Sequence, residues 1–301
     1  MKSKQVLRVF LLVIVIAAFV LYFMSNQDQF SKIGNLTVWE ILLIIVGQAI
    51  VIVSNIFILI IVVRFITRRM SFVDAARLTA YSSLINFFGF LQGGVGFRGI
   101  YLKKHYDMSL KKYSLLTLVQ YCIFFGIAGI LLVTGLWLTT GIHRAVLLLI
   151  LIIIGLALCV LVFSKLKSAA YMKTRERLAK IRTVIQVRPL LGIAAATLFQ
   201  LSGSMLANAV ELHAVGADIS IGSLLIYTGV SQFAIIIALT PGAIGIRETI
   251  LLLVQHQMSL TTETIIVAST IDRLVYFVTL ALFAPLAIGM RRRIGAKPAD
   301  S

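Results

Sequence analysis

The chain has 301 residues, of which 60% are hydrophobic and 13% charged, and its formal net charge is +17. In soluble domains about a quarter of the residues are charged, so this composition excludes an ordinary soluble protein. The Lys and Arg residues lie mainly between apolar runs, as the positive-inside rule predicts, and this distribution argues against nucleic acid as the partner. We therefore expect a multi-pass α-helical membrane protein.

Several apolar segments reach the length of about 20 residues that a helix needs to cross a bilayer. Six are interpreted as full transmembrane helices: 6–24, 37–63, 115–138, 145–164, 190–213 and 264–289. The first is long for a signal peptide and lacks a small-residue cleavage site, so we expect it to be retained. Two further apolar regions, 73–112 and 219–258, are interrupted by glycine motifs.

The charged residues predict the orientation of these segments. Lys2, Lys4 and Arg8 place the N-terminus in the cytoplasm, and Arg291 to Arg293 place the C-terminus there too. Cations flank region 73–112 on both sides, so it begins and ends in the cytoplasm. The flanks of region 219–258 hold no Lys or Arg, so this region enters and leaves from the outside. We expect the chain in the inner (cytoplasmic) membrane of the cell.

The spacing of charges predicts that region 73–112 does not cross the membrane twice. Phe97 and Lys103 are separated by only about 9 Å of helix. A turn on the far face would draw Lys103 and Lys104 into the hydrocarbon, which is costly. Both interrupted regions are therefore predicted to be re-entrant helical hairpins.

The two glycine motifs indicate an internal repeat. Gly93-Gly94-Val95-Gly96-Phe97-Arg98 and Gly242-Ala243-Ile244-Gly245-Ile246-Arg247 share one pattern, 149 residues apart. The halves 1–150 and 151–301 show the same order of span, span, hairpin and span. Three crossings per half turn the second copy upside down, as in the inverted repeats of secondary transporters. The predicted fold is an all-α polytopic membrane protein with six full transmembrane helices and two re-entrant hairpins in an inverted repeat.

The motif has the residue types of an anion site. Glycines permit a tight turn and leave N–H groups uncovered. Each arginine is expected in the first turn of the second arm, where a helix N-terminus favours an anion and the guanidinium fork suits phosphate or carboxylate. The two-fold axis would bring Arg98 and Arg247 together near the midplane, forming an anionic head-group site. The alternative is that the glycines only permit close packing and the arginines cap carbonyls or snorkel.

Further charges lie within the apolar regions. Arg273 is nine residues into the last span, about 13 Å deep, and should face the interior. Glu248 can neutralise Arg273 or Arg247, or carry a proton, and an ion pair between hairpin and helix is an equally open reading. Asp272 adjoins Arg273, but neighbouring helical residues point about 100° apart and need not pair.

Uncharged polar residues in the spans have two open interpretations: they line a path for a polar group, or they form interhelical hydrogen bonds. They are Gln48, Asn55, Asn86, Gln120, Gln200 and Asn208, with Asn86 the best candidate for lining. Glu40 and Glu211 lie near outer span ends, where we expect them to be solvated. No Cys or His has metal-ligand spacing, so neither a metal nor another cofactor is predicted.

These residues together resemble a known family. Asn86 with Gly93 to Arg98, the block Pro241 to Glu248, and Arg273 resemble the lysylphosphatidylglycerol synthase transmembrane-region family, also called flippase-like. The resemblance implies an integral inner-membrane protein, and the best-understood members move a lipid such as aminoacylated phosphatidylglycerol between leaflets. A soluble aminoacyl-transferase domain follows in those members. Because this chain lacks one, we expect a stand-alone member without synthase activity.

The leading interpretation is a lipid transporter or flippase that binds a phospholipid or polyprenyl-phosphate lipid. Arg98 and Arg247 would bind the phosphate, Arg273 would add positive potential and Glu248 would gate or couple. The remaining candidate site residues are Asn86, Gly93, Gly94, Gly96, Gly242 and Gly245. Alternatives are a small-anion transporter, an accessory subunit of a lipid- or envelope-modifying enzyme, and a membrane lipid transferase, although no nucleophile–base pair, metal spacing or nucleotide loop is present.

Overall fold

The computed structural model describes residues 34, 36–64, 70–88, 93–141, 187–234, 243 and 245–295, and within these ranges it contains helices and no β-strand. The helices are numbered in chain order: α1 (Val38–Arg64), α2 (Phe72–Phe88), α3 (Gly93–Tyr106), α4 (Leu110–Thr140), α5 (Val187–Ala214), α6 (Ile221–Ala234), α7 (Ile246–Leu253), α8 (Gln255–Met258) and α9 (Thr262–Gly295). The predicted spans 6–24 and 145–164 lie outside the described residues.

Among the described residues, four helices are long and apolar enough to cross a membrane: α1, α4, α5 and α9. They coincide with the predicted spans 37–63, 115–138, 190–213 and 264–289, so those four predictions are confirmed at the level of membrane-length helices. Within the described residues, the protein is therefore helical and has four candidate membrane spans.

Each interrupted region contains separate helices on either side of residues that the structure does not describe, 89–92 in the first region and 235–242 in the second. The first motif, Gly93 to Arg98, lies within α3. Region 73–112 forms α2 and α3, which have 17 and 14 residues, and these correspond to only about 26 and 21 Å of helix. Region 219–258 forms α6, α7 and α8, of which α6, the longest, has 14 residues. Over the described residues, each of these helices is shorter than the roughly 30 Å hydrocarbon core. Their re-entrant placement in a membrane remains a prediction.

Helices α1 and α5 cross at two facing glycines. A Cβ atom on Gly47 would lie 2.7 Å from the carbonyl oxygen of Gly203, and a Cβ on Gly203 would lie 2.6 Å from that of Gly47. The contact is reciprocal, and neither position has room for a larger side chain. Small residues at such crossings let membrane helices approach closely.

The other main contacts exchange elements between the two halves of the sequence. Helix α2 packs against α9, and helix α6 packs against α4. The first helix of each interrupted region therefore lies against the long helix of the opposite half. A two-fold relation between the halves would produce this exchange, although the division at residue 150 stays a prediction.

The two larger of the three hydrophobic clusters among the described residues stabilise the bundle. One is centred on α6 and the start of α9 and buries Ile226, Tyr227 and Ile265. The other joins α1, α2 and α3 and buries Ile56, Leu78 and Leu102. Residues of both clusters contribute to the wall of a cavity inside the bundle.

Candidate functional site

A cavity of about 350 Å³ lies inside the helical bundle, and every described helix except the short α8 contributes to its wall. Arg98, Arg247 and Arg273 all line it. All six polar span residues named from the sequence line it as well: Gln48, Asn55, Asn86, Gln120, Gln200 and Asn208. Residues from distant parts of the sequence thus meet around one polar space.

Arg98 projects from α3 and is held by one hydrogen bond. Its Nε donates to Oγ of Ser82 at 2.5 Å, and Ser82 Oγ donates in turn to the Thr79 carbonyl at 3.0 Å. Tyr113, Tyr121 and Tyr276 line the cavity together with Arg98. Within the described part of the chain, no carboxylate forms an ion pair with Arg98.

Arg247 projects from α7, and each of its three side-chain nitrogens contacts an acceptor on another helix. Its Nε donates to Ser231 Oγ at 3.3 Å, its Nη2 donates to Asn208 Oδ1 at 3.3 Å, and its Nη1 forms an ion pair with Asp272. The Tyr227 ring centroid is 6.0 Å from its Cζ, within cation–π range. Every donor nitrogen of Arg247 has a protein acceptor.

The arginine–serine bond is repeated in the two motifs. Ser82 and Ser231 are separated by the same 149 positions as Arg98 and Arg247, and each accepts from the Nε of its arginine. The same local geometry therefore orients both guanidinium groups, and the two differ in what their Nη groups contact.

Asp272 connects the Arg247 site to helix α1. Gln48 Nε2 donates to Asp272 Oδ1 at 3.0 Å, and Gln48 Oε1 accepts from Thr279 Oγ1 at 2.9 Å. Adjacent to Asp272, Arg273 forms a separate ion pair with Glu248, with 2.5 Å between Nη2 and Oε1. The two neighbouring residues of α9 thus pair with the two neighbouring residues of α7.

Glu248 is engaged in structure at both oxygens. Oε1 contacts Arg273, and Oε2 accepts from the Gly245 N–H at 2.8 Å, which caps the start of α7. Of the roles that the sequence left open for Glu248, the ion pair between hairpin and last helix is the one present. Glu248 itself does not line the cavity.

The motif glycines do not act alike in the two copies. Helix α3 begins at Gly93, so Arg98 is its sixth residue, and the expectation of an arginine in the first turn is wrong for Arg98. It holds for Arg247, the second residue of α7. The difference arises at the two helix starts. Asn86 Oδ1 accepts the Gly94 N–H at 2.8 Å, so that α3 already includes the glycines of its motif. Gly245 has a φ of 83°, which is not helical, and it precedes α7 as the N-cap residue.

Close contact with a neighbouring helix explains why some of the motif positions hold glycine, but not all of them. A Cβ on Gly94 would lie 2.1 Å from the Ser82 carbonyl oxygen, whereas nothing lies within 4 Å of one on Gly96. Gly94 therefore permits close contact between α2 and α3, and Gly96 is exposed. Gly242 lies outside the described residues.

Glu211 contradicts the expectation of a solvated position. It is fully buried, and neither carboxylate oxygen has a hydrogen-bond donor among the described residues. Asp272 and Arg247 act on it electrostatically. Its place near the end of α5 suggested solvent, but α5 continues to Ala214 and the elements packed around it cover the carboxylate.

The tyrosines around Arg98 were missed in the sequence. Tyr113, Thr117 and Tyr121 recur every four residues on α4 and all line the cavity, with Tyr276 of α9 joining them. A polar and aromatic stripe of this period in an otherwise apolar span marks one helix face. That spacing is a signal from which the lining role of α4 can be inferred.

A protein-family model described as the lysylphosphatidylglycerol synthase TM region matches residues 4–284. Comparisons with curated proteins and with solved structures gave no match. The family match covers the three arginines, both glycine motifs and all the described transmembrane-length helices except the end of α9.

Proposed function

Since the chain belongs to the lysylphosphatidylglycerol synthase TM-region family, we propose that it transports a membrane lipid and binds the anionic, phosphate-bearing head group in the central cavity. The family and the four membrane-length helices make it a multi-pass membrane protein. The observation that carries the proposal is the convergence of Arg98, Arg247 and Arg273 on one cavity inside the bundle.

Arginines at membrane depth are costly and usually functional. A guanidinium presents a planar fork of donors that matches phosphate oxygens. The cavity volume of about 350 Å³ falls in the range of about 300–1,000 Å³ found for small-ligand sites. An anionic head group therefore suits both the charge and the size of the space.

An aromatic seam between α2 and α9 favours a lipid over a small anion. Phe87 and Tyr276 line the cavity, with their ring centroids 5.6 Å apart. Phe88 and Phe277 contact Phe87 and are 59% and 50% exposed. This seam joins the polar cavity to the apolar outer surface, where an acyl or isoprenoid chain remains in the bilayer.

The inverted repeat supplies a means of alternating access. The repeated arginine–serine bond and the exchanged packing of α2 on α9 and α6 on α4 support it. In transporters of this plan, one repeat moves against the other around a site near the bilayer midplane. We propose that the two hairpins open the cavity to opposite leaflets in turn.

The test is lipid movement in proteoliposomes. Fluorescent-tailed anionic phospholipid is incorporated with the purified full chain, and quenching from outside measures the fraction that changes leaflet. We expect the wild type and the control Arg64→Ala, altered at the exposed end of α1, to accelerate the movement, and Arg98→Ala to lose most of it. Equal movement with Arg98→Ala and wild type would contradict the proposal, and a new lipid product would indicate a transferase.

A further inference from the structure

The three cavity arginines differ in their charge compensation. Arg247 is paired with Asp272, and Arg273 with Glu248. Arg98 has no carboxylate partner within the part of the chain that the structure describes, and it shares the cavity wall with Tyr113, Tyr121 and Tyr276. Two of the three guanidinium groups are thus neutralised by the protein, and Arg98 presents the uncompensated positive charge.

Arg98 and Asn86 keep donors available for a ligand. Arg98 Nε donates a hydrogen bond to Ser82 Oγ, and Asn86 Oδ1 accepts one from the Gly94 N–H. These bonds orient both side chains and leave the Nη groups of Arg98 and the Nδ2 group of Asn86 without a described protein acceptor, while both residues line the cavity. The fork and the amide are suited to neighbouring oxygens of one phosphate.

The rest of the wall accepts hydroxyls better than ammonium groups. Among the described residues that line the cavity, Asp272 supplies the carboxylate. One of its oxygens is paired with Arg247, and the other accepts a hydrogen bond from Gln48. Gln200 also lines the cavity, and its Oε1 is buried without a described donor. A head-group hydroxyl can donate to it, whereas an added cation would find no uncommitted carboxylate on this wall.

We propose that Arg98 is the anion subsite and that it takes a singly charged phosphodiester with a neutral, hydroxyl-bearing remainder. A second negative charge would lack a counter-charge, because Arg247 and Arg273 are already paired, and an unpaired buried charge is costly. An aminoacylated head group carries an extra ammonium and is disfavoured, in contrast to the cargo that the family resemblance implies. This inference rests on the proposed lipid-binding function and narrows its substrate class.

Arg247 in this arrangement is a positioning residue. Its pair with Asp272 ties α7 to α9, and Gln48 extends the connection to α1. Removing both charges together leaves the net charge of the wall unchanged. Arg247→Ala/Asp272→Ala therefore removes a paired arginine from the same wall, for comparison with the loss of the unpaired Arg98.

The experiment measures binding of short-chain lipids to the purified, delipidated full chain by native mass spectrometry. The probes are dioctanoyl phosphatidylglycerol, phosphatidic acid at pH 8, phosphatidylethanolamine and lysyl-phosphatidylglycerol. Chain-free glycerophosphoglycerol distinguishes a lipid site from a site for a small phosphodiester. The variants are Arg98→Gln, Arg247→Ala/Asp272→Ala and Arg64→Ala.

We expect phosphatidylglycerol to bind most tightly and Arg98→Gln to weaken it by roughly tenfold or more, the typical effect of losing a charged hydrogen bond. Arg64→Ala should change binding by less than about threefold, a small fraction of that effect. The double variant should weaken binding less than Arg98→Gln does. Equal loss in the double variant and Arg98→Gln would overturn the inference and leave the lipid site standing. Tighter binding of phosphatidic acid or lysyl-phosphatidylglycerol would overturn it too, and no bound anionic lipid would refute the proposed function as well.

Releasing a second arginine should change the selectivity. Asp272→Asn frees Arg247 and is expected to shift preference toward phosphatidic acid severalfold. If Asp272→Asn does not yield folded protein, Glu248→Gln frees Arg273 by the same logic. An unchanged ratio of the two lipids in the variant that folds would contradict the charge-matching argument.

Discussion

Two glycines of the first motif should respond in opposite ways to the same substitution. Gly94 and Gly96 both lie in α3, two positions apart. A Cβ on Gly94 would be 2.1 Å from the Ser82 carbonyl oxygen and 2.6 Å from Asn86 Oδ1, whereas one on Gly96 would meet nothing within 4 Å. Gly94→Ala should therefore force α2 and α3 apart, and Gly96→Ala should not.

The magnitude follows from the contacts that change. Relieving the overlap at Gly94 requires a separation of about 1.4 Å, since the Cβ would lie 2.1 Å from the Ser82 carbonyl oxygen and van der Waals contacts begin near 3.5 Å. This breaks the bond from the Gly94 N–H to Asn86, worth about 1 kcal/mol, and overpacking costs about 1–3 kcal/mol more. Alanine returns about 1 kcal/mol through helix propensity. Gly94→Ala should thus lose about 2 kcal/mol, and Gly96→Ala should gain about 0.5–1 kcal/mol.

The assay is the midpoint of thermal unfolding of the purified protein in one detergent. The Gly96→Ala variant is the control, because it changes the same residue type in the same helix. We expect a midpoint several degrees below wild type for Gly94→Ala and at or above wild type for Gly96→Ala. Similar midpoints for the two variants would refute the close contact between α2 and α3 that orients Asn86 and Arg98.

Two further predictions concern the contacts of α9 and α1. Asp272→Ala should lower stability by about 3 kcal/mol, because it leaves Arg247 without its counter-charge. In a double-mutant cycle of unfolding midpoints, adding Arg247→Ala should restore part of this loss. Additive losses of the two single variants would contradict the pairing. Gly203→Val should cost about 1–3 kcal/mol, because its side chain would meet the Gly47 carbonyl. Gly126→Val, at a position with nothing within 4 Å, is the control, and equal midpoints would contradict the reciprocal crossing.

The long helices could be predicted from hydropathy because each contains a long and predominantly apolar segment. Their ends could not, since helix ends are set by caps and polar residues. Helix α4 begins at Leu110, five residues before the predicted start, because Ser109 caps it by accepting from the Lys112 N–H at 3.4 Å. Lys111 and Lys112 lie in its first turn. Because they are charged, a prediction from hydropathy places the start of the helix after them.

The repeated motif was sufficient to bring Arg98 and Arg247 together as candidates. It did not predict their unequal surroundings, because the partners come from other helices. Adjacent residues Asp272 and Arg273 point in different directions on α9 and therefore pair separately, with Arg247 and Glu248. Such pairing depends on how α7 packs against α9, which sequence spacing alone does not specify.

The buried state of Glu211 shows the same limit. Its position near the end of a span suggested solvent, yet the carboxylate is completely covered. Burial there depends on neighbouring helices that are distant in sequence. The polar residues Gln48 and Asn208 could be recognised as exceptional in apolar spans, but whether they line a cavity was open until the helices were assembled.

The most direct test of an anionic head-group site in the cavity is native mass spectrometry of the protein purified from cells in mild detergent. Lipids that stay bound are identified for wild type, Arg98→Ala and the control Arg64→Ala. We expect one anionic lipid class to remain on wild type and control and to be lost from Arg98→Ala. Equal retention of that lipid by all three proteins would contradict the site and make Arg98 a structural residue.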